Sequence, residues 1–138
     1  MQKHTFELEL KVRDYECDIQ GIVNNAVYQN YLEHTRHEFL IAAGSDFAGL
    51  NNEGINPVVY RIEIDYKYSL KSGDDFISVL NFEKQGNLKL IFNQEIYRKQ
   101  DKKLIVKAKV IVVVLENSKP VKPDFIIEKL ENYRKSIQ

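Results

Sequence analysis

The chain carries one long helical pattern ahead of its C-terminus, set among segments that otherwise read as strand. Over residues 25–43, Tyr28, Tyr31, Leu32, Thr35, Phe39 and Ala42 recur at three- and four-residue spacings. That spacing predicts an amphipathic helix with one apolar stripe. Glu33, Arg36 and His37 fall on its more polar side. Asn24 or Asn25 suits the N-cap, because an Asn side chain accepts a bond from a first-turn N–H. Gly44 suits the position just past the end, where left-handed backbone is tolerated. Such a helix needs an apolar wall, and nearly everything after Pro57 alternates as strands do.

Residues 4–13 alternate, with Phe6, Leu8, Leu10 and Val12 on one face. That is a half-buried strand. Residues 46–57 form a connector with room for a short helical turn. Strands follow at 58–69, 76–85, 88–99 and 103–116, with a hairpin signal at Gln85-Gly86-Asn87. Residues 110–115 are apolar on both faces, so a partner subunit or the C-terminal segment is expected to cover the second one. Pro120 and Pro123 are expected to end the sheet, and Asp124 to cap a last helix bearing Phe125, Ile126, Ile127, Leu130 and Tyr133. The order is strand, long helix, four strands in a meander, short helix. It predicts an α+β domain spanning residues 1–138, a five-stranded antiparallel sheet wrapped around one helix.

Composition narrows the function classes. Lys plus Arg and Asp plus Glu number 20 each, so no basic excess points to nucleic acid or an anionic membrane. Cys17 is the sole cysteine, which excludes an internal disulfide and fits a reducing cytoplasm. The N-terminal twelve residues alternate rather than forming a signal-peptide core. No run approaches the roughly 20 apolar residues of a membrane span. One Cys and scattered His make a metal site an unpromising expectation.

The chemistry-bearing stretch precedes the helix. Asp18 sits in a polar loop three residues before Gly21, and Val23, Asn24, Asn25, Tyr28, Tyr31, Glu33 and Arg36 follow. The pattern Asp18-x-x-Gly21-x-Val23, then Tyr28 and Tyr31-x-Glu33-x-x-Arg36, resembles the hot-dog-fold acyl-CoA thioesterases of the 4-hydroxybenzoyl-CoA thioesterase type. Val12-Arg13, Pro57-Val58-Val59 and Ile62-x-Ile64-x-Tyr66 fit the same pattern, so the resemblance runs from about residue 5 to 116. The Asp18–Arg36 stretch is its specific part. Ile22 and the Asn24-Asn25 pair depart from what many such proteins carry, which leaves the substrate class open.

The resemblance implies a hot-dog fold and hydrolysis of an acyl-CoA without metal or other cofactor. It also implies a homodimer or homotetramer with sites at the subunit interface. Asp18 would be the nucleophile or general base, and the Asn25 backbone N–H would polarise the carbonyl. Gly21, Val23, Asn24 and Tyr28 would line the substrate. The residue chemistry agrees: thioester hydrolysis builds charge on the carbonyl oxygen, and a helix N-terminus offers unpaired N–H groups and partial positive charge. Glu33 is the second-choice acid, with an i,i+3 pair to Arg36 as its plain alternative. A Cys17 nucleophile lacks a histidine tied to it by any motif. The rival functions are an acyl-acyl carrier protein thioesterase, a non-catalytic acyl-thioester-binding protein, and a dehydratase. The last would need a His in the Asp18 loop, and none is there.

Overall fold

The computed structural model describes residues 4–137. Strand β1 (Phe6–Lys11) leads through a short 3₁₀ turn at Asp14–Glu16 to helix α1 (Asn25–Ala42). Helix α2 (Phe47–Asn52) follows, then β2 (Ile55–Tyr66), β3 (Asp75–Gln85), β4 (Lys89–Arg98), β5 (Leu104–Glu116), β6 (Lys119–Val121) and α3 (Asp124–Ser136). The expected long helix is present almost to the residue. Asn24 caps it, its side chain accepting from the Ala26 N–H at 2.9 Å. Gly44 takes φ 80° just beyond its end, where a side chain would be strained. The turn foreseen in the connector is α2, capped by the Asp46 side chain.

The sheet is antiparallel in the order β1-β3-β4-β5-β2, with β6 also on β5. Two expectations change here. The four strands are not a simple meander: β3, β4 and β5 pair in succession, but β2 joins β5 at the far edge instead of β3. Pro120 does not stop the sheet either. It lies inside β6, which faces Val114–Glu116 of β5 just beyond the Lys89–Val113 pair where β4 begins, and makes a sixth strand. A short outer strand tolerates the missing N–H.

Helix α3 lies on the same inner face as α1. Ile126, Ile127 and Leu130 join Phe39, Leu80, Phe82, Val110, Val112 and Val114 in one buried cluster. The C-terminal segment therefore does not cover the outer face of residues 110–115, where Ile111 is buried and Val113 and Leu115 are half-buried. Asp124 opens α3 without capping it; its carboxylate instead pairs with Lys84 at 2.6 Å.

The core is divided. A second cluster gathers Val12, Val23, Tyr28, Tyr31, Leu32, Leu70, Phe76, Ile96 and Val106 around the first half of α1. Between the two runs a belt of buried polar side chains: Thr35, Arg36, Ser78 and Gln94. Thr35 Oγ1 bonds the Tyr31 carbonyl at 2.8 Å and meets Ser78 Oγ at 2.6 Å. Arg36 Nη1 donates to Gln94 Oε1 at 3.0 Å, and Gln94 Nε2 donates to the Leu32 carbonyl at 3.0 Å. Arg36 is thus only 6% exposed and not on a polar face. Gln94→Leu would keep the volume but strip Arg36 of this acceptor. It should cost about 3 kcal/mol, read as a lower urea midpoint at unchanged slope; a cost below about 1 kcal/mol would contradict the pairing.

Candidate active site

The Asp18 loop is exposed at its tip and fixed at its base. Cys17 pairs with Val23 and Ile22 with Lys71 as isolated bridges, and the Val23 N–H donates to the Leu70 carbonyl at 2.9 Å. Asp18 N–H bonds Ile22 O, and Gly21 N–H bonds Asp18 O, each at 2.9 Å. Gly21 holds φ 80° with open space where a Cβ would be, so here backbone conformation demands glycine. The Asn24 N–H returns to Glu16 O at 3.1 Å, which sets the start of α1 directly against the loop.

Asp18 Oδ1 accepts from the Gln20 N–H at 2.8 Å, an Asx turn that orients the carboxylate. Its side chain lies at the exposed rim, beside Ile19, which is wholly exposed. At the helix start, Asn24 takes the Ala26 N–H through its side chain and the Val27 N–H through its carbonyl. The Asn25 N–H has no protein acceptor among the described residues. Its carbonyl accepts from Tyr66 Oη at 3.3 Å, a link that steadies the first turn. Asn24 and Asn25 are both exposed.

The other anticipated substrate contacts lie deeper. Val23 and Tyr28 are each 2% exposed, and Tyr28 Oη accepts from the Leu70 N–H at 3.0 Å. They form the packed floor that carries the loop. Tyr31 Oη donates to Glu16 Oε1 at 2.8 Å, and the same oxygen accepts from the Arg13 N–H. Burial first, and the Glu16 bond next, push the Tyr31 pKa far above its ordinary value, so this phenol keeps its proton. Glu16 ties the 3₁₀ turn to α1, a role that its loop position in the sequence did not reveal.

Glu33 is exposed and closes no salt bridge with Arg36 among the described residues, because Arg36 turns inward. The expected i,i+3 pair is absent for that reason. No group of three His, Cys, Asp or Glu side chains among the described residues is placed to hold a metal. A cavity of about 970 Å³ lies on the outer face of the sheet between Glu63, Asp65, Glu95, Lys107 and Lys109. It shares no residue with the Asp18 loop.

The wrapped helix has counterparts in known proteins. The chain matches the Thioesterase-like superfamily over residues 12–130 and belongs to that family. It is similar to the chloroplastic acyl-acyl carrier protein thioesterase ATL3 of Arabidopsis thaliana, 37% identical over 117 residues. That match covers 84% of this chain, which spans about three-fifths (62%) of the plant protein. Among solved structures, YbaW, a probable thioesterase of Escherichia coli, aligns with TM-score 0.79 and 27% identity over 92% of this chain and 97% of its own. A Thermus thermophilus thioesterase complexed with coenzyme A and Zn aligns with TM-score 0.84 and 24% identity, over 98% of each chain. The fold is the hot-dog fold of these proteins. No helix among the described residues is long and apolar enough to cross a membrane.

Partial burial first, then the carboxylates of Asp14, Asp18 and Glu16, hold the Cys17 thiol above its ordinary pKa. The reactive thiolate is therefore scarce at neutral pH, which argues against a Cys17 nucleophile. Iodoacetamide should label Cys17 slowly at pH 7, with a rate still climbing above pH 9. A plateau reached by pH 8 would contradict this electrostatic account.

Proposed function

We propose that the protein hydrolyses acyl-CoA thioesters to a free carboxylic acid and coenzyme A, with Asp18 as the catalytic carboxylate. The supporting observation is the loop that carries Asp18, hydrogen-bonded at its base to a helix start whose Asn25 N–H has no protein acceptor among the described residues. In the general-base course, Asp18 takes a proton from water as the oxygen attacks the thioester carbon. Charge gathers on the carbonyl oxygen, where the Asn25 N–H and the helix N-terminus stabilise it. The tetrahedral species collapses, the C–S bond breaks, and the thiolate leaves with the proton returned from Asp18. In the nucleophilic course the carboxylate itself attacks, the C–S bond breaks and expels the thiolate, and water cleaves the resulting acyl–Asp18 anhydride to the acid, regenerating the carboxylate and supplying the thiolate's proton. Gly21 contributes the turn, exposed Asn24 faces the acyl thioester, and the buried Val23 and Tyr28 support that wall from beneath.

The Arabidopsis relatives favour a second reading, an acyl thioester borne on a carrier protein, since both are named acyl-acyl carrier protein thioesterases. Rates on matched acyl-CoA and acyl-carrier substrates decide between the two. The lone cysteine supports a reducing cytoplasm as the compartment, although those relatives are chloroplastic. Asp18→Asn should keep the thermal midpoint and lower thiol release by about 100-fold or more. Near-unchanged turnover by that variant across short, long and aromatic acyl-CoAs would remove Asp18 from its role.

A homodimer, or a tetramer of dimers, belongs to the same reading. Strand β2 is an edge of 12 residues, with Val58, Val59, Tyr60 and Tyr66 exposed along it. A long apolar edge pairs readily with another copy. Light scattering should give at least twice the chain mass, and Tyr60→Lys should shift the population toward monomer. A wild-type protein that stays monomeric at micromolar concentration would overturn this part.

A further inference from the structure

The Asp18 carboxylate and the Asn25 N–H sit on different pieces of chain, a loop and a helix start, and the chemistry proposed above needs them at one separation. A misplacement of about 1 Å between reacting groups costs on the order of 100-fold in rate. Several bonds hold the loop, and they run to different supports. The Val23 N–H and the Ile22–Lys71 pairing tie it to residues 70–71. Glu16 ties it to α1, and does so twice. Its carbonyl accepts from the Asn24 N–H at 3.1 Å, and its Oε1 accepts from Tyr31 Oη at 2.8 Å. The same Oε1 accepts from the Arg13 N–H at 2.8 Å, where the loop begins.

Tyr31 is a fixed post. Its ring packs edge-on against Tyr28, with centroids 6.0 Å apart, and against Phe76 at 4.6 Å, and the residue is 6% exposed. The phenol therefore cannot swing to follow a moving loop. It also sits six residues beyond Asn25 on one helix, about 9 Å along the axis at ~1.5 Å per residue. A bond to Tyr31 thus references the loop to the same rigid body that carries the Asn25 N–H. Between Glu16 and Asp18 the chain has little slack. The Cys17 N–H bonds Asp14 O at 3.1 Å, Cys17 pairs with Val23, and the Asp18 N–H bonds Ile22 O at 2.9 Å.

We infer that Glu16 is a positioning residue: through its bond from Tyr31 it sets the Asp18 carboxylate at its working distance from the Asn25 N–H. This rests on the role proposed for Asp18. Glu16 itself does not act on the thioester, and its Oε1 is already taken by two donors. Tyr31 is a standing donor, because burial first and the Glu16 bond next keep its proton in place at neutral and mildly basic pH. What the loop needs at residue 16 is an acceptor oxygen at that reach. Gln supplies one and Ala does not. With Ala there, the Tyr31 hydroxyl is left buried without its acceptor, which is unfavourable, and the loop keeps only one of its two ties to α1.

Steady-state thiol release by the full protein, on the best acyl-CoA of a short, long and aromatic series, tests this. Glu16→Ala should lower kcat by about tenfold to 100-fold and leave KM within twofold. Tyr31→Phe, which keeps the packed ring, should lower kcat to a similar degree and carries the test if Glu16→Ala does not fold. Glu16→Gln should recover kcat to within about threefold of wild type. In an Asp18→Asn background, read at raised enzyme concentration, Glu16→Ala should cost nothing further, because the effect runs through Asp18. A merely structural role would lower the residual rate there as well. The inference is overturned if Glu16→Ala or Tyr31→Phe keeps full kcat while Asp18→Asn loses it, a result that leaves the proposed function standing. It is also overturned if the loss falls on KM alone, if Glu16→Gln is as poor as Glu16→Ala, or if the two losses multiply in the double variant. Full turnover by Asp18→Asn would instead sink the catalytic reading, and this inference with it.

Discussion

The polar belt across the middle of the core fixes how α1 sits in its sheet. A helix wrapped by apolar strands can slide or rotate at little cost if its buried face is uniformly greasy. This one is not uniform. Thr35 must meet Ser78, and Arg36 must meet Gln94, which in turn holds the Leu32 carbonyl. A shift by one turn, about 5.4 Å, would drive a guanidinium among Phe39, Phe92 and Val110 and orphan four buried polar groups. Unpaired buried charge is costly enough to forbid that.

Fixing α1 fixes both ends of the molecule. Toward its N-terminus, the cluster around Tyr28, Leu70 and Val23 supports the Asp18 loop from beneath, and backbone bonds to residues 70–74 hold its base. An exposed carboxylate on a restrained loop is held in one orientation, as the role proposed for Asp18 requires. Beyond the belt, α3 completes the other cluster, around Phe39 and Val110, and the space left between α1 and β2 becomes a cavity bordered by Arg36. One charged residue therefore serves the core on one side and faces an open pocket on the other.

Much of this was legible in the chain. The spacing of Tyr28, Tyr31, Leu32 and Phe39 marks α1, Asn24 and Gly44 mark its ends, and alternation marks the strands, because each signal is local. Arg36 was misjudged for a reason that can be stated. It follows Leu32 by four residues and precedes Leu40 by four, so helical geometry puts it on the buried stripe; its charge suggested the polar face. The Glu33–Arg36 pair failed with it. Tyr31 and Glu16, 15 residues apart, meet through a loop whose path no periodicity encodes.

The sequence alone determined the elements, their order, and the Asp18-to-helix spacing, since caps, turns and side-chain periods depend on near neighbours. Tertiary structure alone decided that β2 pairs β5, that Pro120 sits in a sixth strand, and that α3 shares the inner face with α1. It also decided what Arg36 touches. Strand order and buried polar pairing join residues far apart in the chain, such as Arg36 and Gln94, 58 positions apart. Those partners are chosen by which arrangement leaves the fewest buried groups unpaired, a property of the whole fold.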